Sequence, residues 1–241
     1  NTMGNAEKNE KAFLKKISGF GEGGVLLALI VLCVVIGCVN PVFFSLKNVI
    51  KVLRQFSSIG IIAVGGAFVI VTGGIDLSVG SFMAFGAVGI AKLVSMGVDP
   101  FLALVLILFL AGICGLISGV IIVNMNLNPF IVTLAMMNVI SGATYLISNG
   151  IPISFNTYLN FLGGNIGETP VAIFVMLIIM VIGHIVLSKT EYGRNVFAVG
   201  GNERAARLSG INVSRIKCSV YVMTAVLAAL TGVITCANLN S

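Results

Sequence analysis

The chain is patterned in long apolar runs rather than in alternation. Apolar residues fill about 24–43, 57–73, 79–97, 101–123, 130–147, 171–188 and 218–237, each closed by a short polar or glycine-bearing stretch. A helix rising about 1.5 Å per residue needs roughly 20 apolar residues to cross the hydrocarbon of a bilayer. The pattern therefore predicts an all-α fold, a polytopic transmembrane helical bundle of about seven spans. Phe101 to Val123 is the cleanest run, and the second run is short and ends in Gly73-Gly74. Gly112, Gly115 and Gly119 fall on one face of the fourth run with Ser118 beside them. Small residues so spaced let helices approach closely in lipid, and the stripe is read as a packing surface.

Composition turns this pattern into an exclusion. Hydrophobic residues make up 58% of the 241 and charged residues only 9%, against about 25% charged in soluble domains. A soluble globule cannot hide so much apolar surface. A soluble enzyme, a disordered chain and a disulfide scaffold are thereby excluded. The five cysteines lie in or beside apolar runs without a CxxC spacing, and they read as packing residues, not as a metal site. His184, alone near the end of the sixth run, reads as a packing or interfacial residue.

The net charge of +6 comes from 14 Lys and Arg against 8 Asp and Glu. Its distribution sets an orientation. Lys8, Lys11, Lys15 and Lys16 precede the first run, and Lys189, Arg194, Arg204, Arg207, Arg215 and Lys217 lie between the sixth and seventh. Six runs separate the two clusters, an even number, so both are expected to be cytoplasmic. Residues 1–23 are then a cytoplasmic tail, and 24–241 a membrane domain with a cytoplasmic loop at 189–217. The first run reads as a signal-anchor helix. Lys47, Lys51 and Arg54 fall on the outer side in this scheme. Either a short interfacial helix from Leu46 to Gln55 accommodates them, or the first span is misplaced.

Three segments carry candidate chemistry. Gly73-Gly74-Ile75-Asp76-Leu77-Ser78-Val79-Gly80-Ser81 places a carboxylate between two apolar runs with no basic neighbour. One reading makes Asp76 the N-cap of the next helix. The other makes the segment a broken helix lining a polar path, because a carboxylate in hydrocarbon must face protein, water or a helix end. The two readings are compatible. Asn128-Pro129 opens a run that holds Thr133, Asn138 and Ser141, fit either for interhelical hydrogen bonds or for a polar path. In the basic loop, Asn202 suits an N-cap, Glu203 a first turn, Arg207 a last turn and Gly210 a stop. Ala205, Ala206, Leu208 and Ile211 are expected to form a small apolar surface there. Such a helix serves as a docking element or rests on anionic lipid. There is no GxxxxGK[ST] motif and no HExxH motif.

In these three segments the chain resembles the permease subunit of bacterial ABC importers for ribose, xylose, galactose and related sugars. The resemblance implies an inner-membrane subunit without catalysis of its own, binding no cofactor. It would work as a pair of permease copies, with two cytoplasmic ATPase subunits hydrolysing ATP and an extracytoplasmic sugar-binding protein delivering cargo. By position, Gly193, Asn202, Glu203, Arg204, Ala205, Ala206, Arg207 and Gly210 would form the ATPase-coupling segment. Asp76, Ser78, Ser81, Thr133, Asn138 and Ser141 would lie near the translocation path. The family commonly has Gly where Ala135 stands and Arg-Gly where Ser141-Gly142 stands, which points to altered cargo contacts in that span. Its members also continue through further Gly-rich helices, so a truncated C-terminus is expected. The alternatives are a nucleoside or sugar-like signalling cargo, or a secondary transporter. The last would need an intramembrane ionisable relay, for which Asp76, Lys92 and Asp99 offer little.

Overall fold

In lipid a backbone must satisfy its own N–H and C=O groups, and a helix does this within one segment. The computed structural model describes residues 21–153 and 156–239, and it is helical wherever the sequence is continuously apolar. Most of the expected tail at 1–23 lies outside the described residues. The chain divides into two compact units, one ending at Val52 and the other beginning at Leu53.

The first unit holds α1 (Gly21–Val39), a 3-10 turn (Pro41–Phe44) and the first turns of α2 (Leu46–Val71). Asn40 caps the turn by accepting the Val42 N–H at 3.1 Å. The Asn48 amide donates to the Phe43 carbonyl at 2.8 Å, which folds the turn back onto the start of α2. The separate interfacial helix expected from Leu46 to Gln55 is not formed. α2 starts at Leu46 and runs unbroken for 26 residues, because no Gly or Pro stands between Leu46 and Phe56 to stop it.

The second unit contains the rest of α2, then α3 (Val79–Ser95), α4 (Pro100–Asn124), α5 (Pro129–Ser148), α6 (Val171–Lys189), α7 (Glu191–Gly201), α8 (Glu203–Leu208) and α9 (Val213–Leu239). Between α5 and α6 a 3-10 turn (Tyr158–Leu162) precedes a two-residue antiparallel pair, β1 (Asn165–Ile166) with β2 (Thr169–Pro170). Asp99 and Asn128 cap α4 and α5, and each is followed by Pro at the first helical position, where its missing N–H is harmless. By length and composition five helices can cross a membrane: α2, α4, α5, α6 and α9. Two shorter apolar helices, Gly23–Val39 and Val79–Ser95, match the remaining predicted runs.

α9 is the axis of this unit. Fourteen of its residues are buried, chiefly against α4 and α3. The glycine stripe of α4, read from the sequence as a packing surface, faces it. A methyl group at Gly115 would lie 2.7 Å from the Tyr221 carbonyl oxygen, and one at Gly119 would lie 2.7 Å from Cys218 Cα. Gly86 of α3 and Gly232 of α9 sit closer still, where a methyl group would run into the carbonyl oxygens of Ala229 and Met83 respectively. At one end of the unit Arg54 bonds both Asn165 at 2.6 Å and Asn238. This basic residue therefore ties the β1–β2 loop to the end of α9. At the same end the Phe101 N–H donates to the Tyr158 hydroxyl at 3.0 Å.

Candidate functional site

The break between α2 and α3 is built from its glycines. Gly73 adopts φ +76, a conformation that costs Gly little and other residues more. Gly74 N–H returns to the Val69 carbonyl at 2.9 Å. The chain then extends until Asp76, whose Oδ1 accepts the Ser78 N–H at 2.9 Å and the Ser78 hydroxyl at 2.5 Å. Asp76 is thus not the N-cap. Ser78 occupies that position and makes no side-chain cap bond. The carboxylate instead closes an Asx turn two residues ahead of the helix, the local bond for which Asp is well suited.

α5 is fastened to this break. Thr133 is fully buried and donates to the Pro129 carbonyl at 2.8 Å, with the Ile75 carbonyl at 3.5 Å. Ser81 and Ser141 share a hydrogen bond of 2.8 Å across α3 and α5. Among the described residues Asn138 makes only a local bond, to the Leu134 carbonyl at 2.9 Å. Ala135, Asn138, Ser141 and Gly142 form an exposed, small and polar face of α5. The six candidates therefore divide. Ser81 with Ser141 and Thr133 with Ile75 join α5 to α3 and the break, and Asp76 pairs with Ser78 within the break. Asn138 shares the exposed face of α5 with Ser141 but bonds only within its own helix among the described residues.

The basic loop folds into two helices, and the last span begins at Val213 instead of near 218. Thr190 caps α7 through the Gly193 N–H at 3.1 Å, and Asn202 caps α8 through the Ala205 N–H at 2.9 Å. Gly210 ends α8 at φ +84. Glu203 bridges Arg207 at 3.3 Å and Lys217 at 2.5 Å. The Lys217 hydrogen bond holds the Glu203 carboxyl below the usual Glu range, aided by the charges of Lys217 and Arg207 and opposed by partial desolvation. Arg204, Ala205, Arg207 and Leu208 are exposed, Leu208 at 83%. Ala206 is not part of that surface. It is only 4% exposed and packs with Val196, Val199 and Val213, because a helix one and a half turns long must turn one side to its neighbours.

Two residues matter here beyond the sequence-derived candidates. Lys217 ties α8 to α9, and Tyr221 carries a buried hydroxyl with no partner among the described residues. Their spacing of four at the head of an apolar run was the available signal. α7 also meets the break itself: Gly200 packs directly on the backbone of Val71 and Thr72.

Comparison with known proteins now places the chain. The family model described as "Branched-chain amino acid transport system / permease component" matches residues 48–241, and the chain belongs to this family. It is 38% identical over 221 residues to the ribose import permease protein of Haemophilus influenzae, covering 89% of this chain and 68% of the relative. It is 39% identical over 222 residues to the ribose import permease protein of Bacillus subtilis, covering 90% and 69%. It is 33% identical over 227 residues to the autoinducer 2 import system permease protein of Escherichia coli, covering 89% and 68%. No solved structure matches. The chain is a multi-pass permease subunit of an ABC importer, a transport component and not an enzyme, and such a subunit works with an ATPase and a substrate-binding protein.

Proposed function

We propose that this permease moves a monosaccharide, a ribose-like pentose or a hexose, across the inner membrane as one of two identical copies. Partner subunits hydrolyse the ATP, and this chain binds no cofactor. All seven apolar helices lie in the membrane, with the N-terminus and the 189–217 segment cytoplasmic and the β1–β2 loop outside. α8 seats the ATPase through Arg204, Ala205, Arg207 and Leu208, while Asn202, Glu203 and Gly210 hold its shape and Gly193 sets α7 close against the end of α6. The basic residues of the same segment rest on anionic lipid around that seat.

The observation that carries this reading is α8 itself. It is a short helix standing beyond the apolar runs, exposing two arginines and a leucine, yet tied by Glu203 to the head of the central span. A docked partner could move it and so shift α9. The small polar face of α5, with Asn138 and Ser141, suits a hydroxyl-rich solute passing without tight binding. Two of the relatives named above are ribose permeases, which favours a sugar. The autoinducer 2 permease keeps a sugar-like signalling molecule as a second reading.

The test is uptake into liposomes by the complete importer, across pentoses, hexoses, nucleosides and amino acids. ATP-dependent uptake of one monosaccharide is expected. Uptake without ATP would overturn the importer reading, and uptake of only a non-sugar cargo would overturn the sugar assignment.

A further inference from the structure

We propose that Lys217 is a positioning residue of the transport cycle, its ammonium alternating between Glu203 on α8 and the buried Tyr221 hydroxyl beside the Gly73–Asp76 break. The proposal rests on the reading of α8 as the element an ATPase moves.

Four observations meet at this residue. Its Nζ lies 2.5 Å from Glu203 Oε2, so one end of its reach is α8. Its side chain also lines a small cavity of about 20 Å³, shared with Thr72, Gly73, Gly74 and Tyr221. That volume holds a group the size of one water, and an ammonium is of similar size. Tyr221 is 2% exposed and its hydroxyl has no hydrogen-bond partner among the described residues. A buried polar group of this kind calls for an explanation. The hydroxyl lies against Gly74, where an added methyl group would come within 2.6 Å of it, two residues before Asp76 in the chain.

Lys217 and Tyr221 stand four apart on α9, hence on one face. A lysine stem is flexible enough to carry its ammonium from one partner to the other. While Glu203 holds the ammonium, the Tyr221 hydroxyl waits unpaired. When α8 is displaced, the ammonium enters the cavity, pairs with Tyr221 and approaches the Asp76 carboxylate. The position of α8 is thereby read at the α2–α3 break. Gly200, packed on Val71 and Thr72, keeps α7 in contact with the same break while this happens.

The experiment uses the complete importer in liposomes and measures cargo imported per ATP hydrolysed, with ATPase copurification as a second readout. Lys217→Gln and Tyr221→Phe are each expected to keep copurification and to lower cargo per ATP at least ten-fold. Lys217→Arg keeps a cation for Glu203 but carries a guanidinium too large for a one-water cavity, so it is expected to stay as uncoupled as Lys217→Gln. Tyr221→Phe is the discriminating variant, since it leaves the Glu203–Lys217 bridge intact and removes only the hydroxyl. Normal coupling in Tyr221→Phe overturns the proposal. So does full coupling in the charge exchange Glu203→Lys with Lys217→Glu, which rebuilds the bridge but sets a carboxylate against Asp76. Wild-type import without ATP would overturn this inference and the reading of α8 together. Normal wild-type import with a coupled Tyr221→Phe overturns the inference alone.

Discussion

The α4–α9 crossing offers a graded test of how this permease is held together. Gly112, Gly115 and Gly119 present one face of α4 to α9, and Ala at each meets a different obstacle. At Gly112 the new methyl group would lie 3.4 Å from Val226 Cγ2, an ordinary contact. At Gly119 it would lie 2.7 Å from Cys218 Cα, and at Gly115 it would lie 2.7 Å from the Tyr221 carbonyl and 2.8 Å from Ala225 Cβ. Carbon pairs rest at about 3.5–4.0 Å, so the last two sites force the helices apart by about 1 Å. No side chain can swing away, because much of what opposes the methyl group is backbone. A gap of that size forfeits roughly a quarter to a half of each contact it opens. Overpacking of this kind costs about 3 kcal/mol, offset by up to about 1 kcal/mol from the better helix propensity of Ala. The net loss of about 2 kcal/mol corresponds to a fall of about 4–8 °C in unfolding temperature. Gly112→Ala keeps only the gain and should leave the temperature unchanged or raise it by about 2–4 °C. Purified variants in detergent, heated at one fixed rate with a thiol-reactive dye reporting exposure of buried Cys236, give the ranking directly. Equal temperatures for Gly112→Ala and Gly119→Ala, or a reversed order, would refute the close-packing argument. The double variant at Gly115 and Gly119 should lose less than the sum, since one widened crossing relieves both.

Three further outcomes follow from α8. Ala205→Glu should abolish ATPase copurification without changing the unfolding temperature, whereas Ala206→Glu should lower that temperature, because only Ala206 is buried; the same dye assay separates them. Asn202→Ala removes the bond to the Ala205 N–H and should cost about 1 kcal/mol of local stability, seen as faster amide exchange confined to α8. Glu203 has a depressed carboxyl, so its contribution is present above its ordinary value of 4.5 and is lost as pH falls below that, through its folded value. Exchange of α8 amides, corrected for intrinsic rates, should therefore rise at acid pH in the wild type and be flat in Glu203→Gln.

The helical membrane fold was legible in the sequence because it is a local property. Each apolar run of sufficient length must become a helix in lipid, and the helix start at Pro129, the cap at Asn202 and the stop at Gly210 act over four residues or fewer. The packing role of the α4 stripe was legible for the same reason, since Gly spacing on one helix fixes which face is flat. The function was legible through motif order, which no single residue carries. Tertiary structure decided what depends on partners distant along the chain. Asp76 was expected to cap a helix, yet it closes an Asx turn ahead of Ser78, held in a break that Thr133 and Gly200 brace from two other helices. Ala206 looked like docking surface and is buried, because α7 and α9 converge on it from opposite directions in the chain. Arg54 had no partner legible in the sequence, because Asn165 and Asn238, which it bonds, stand more than a hundred residues away. Lys217 and Tyr221 were only a spacing of four until the fold set Glu203 at one end and Gly74 at the other. A run of sequence determines which backbone will form. Which side chain is paired, buried or left waiting is determined by the helices that fold against it.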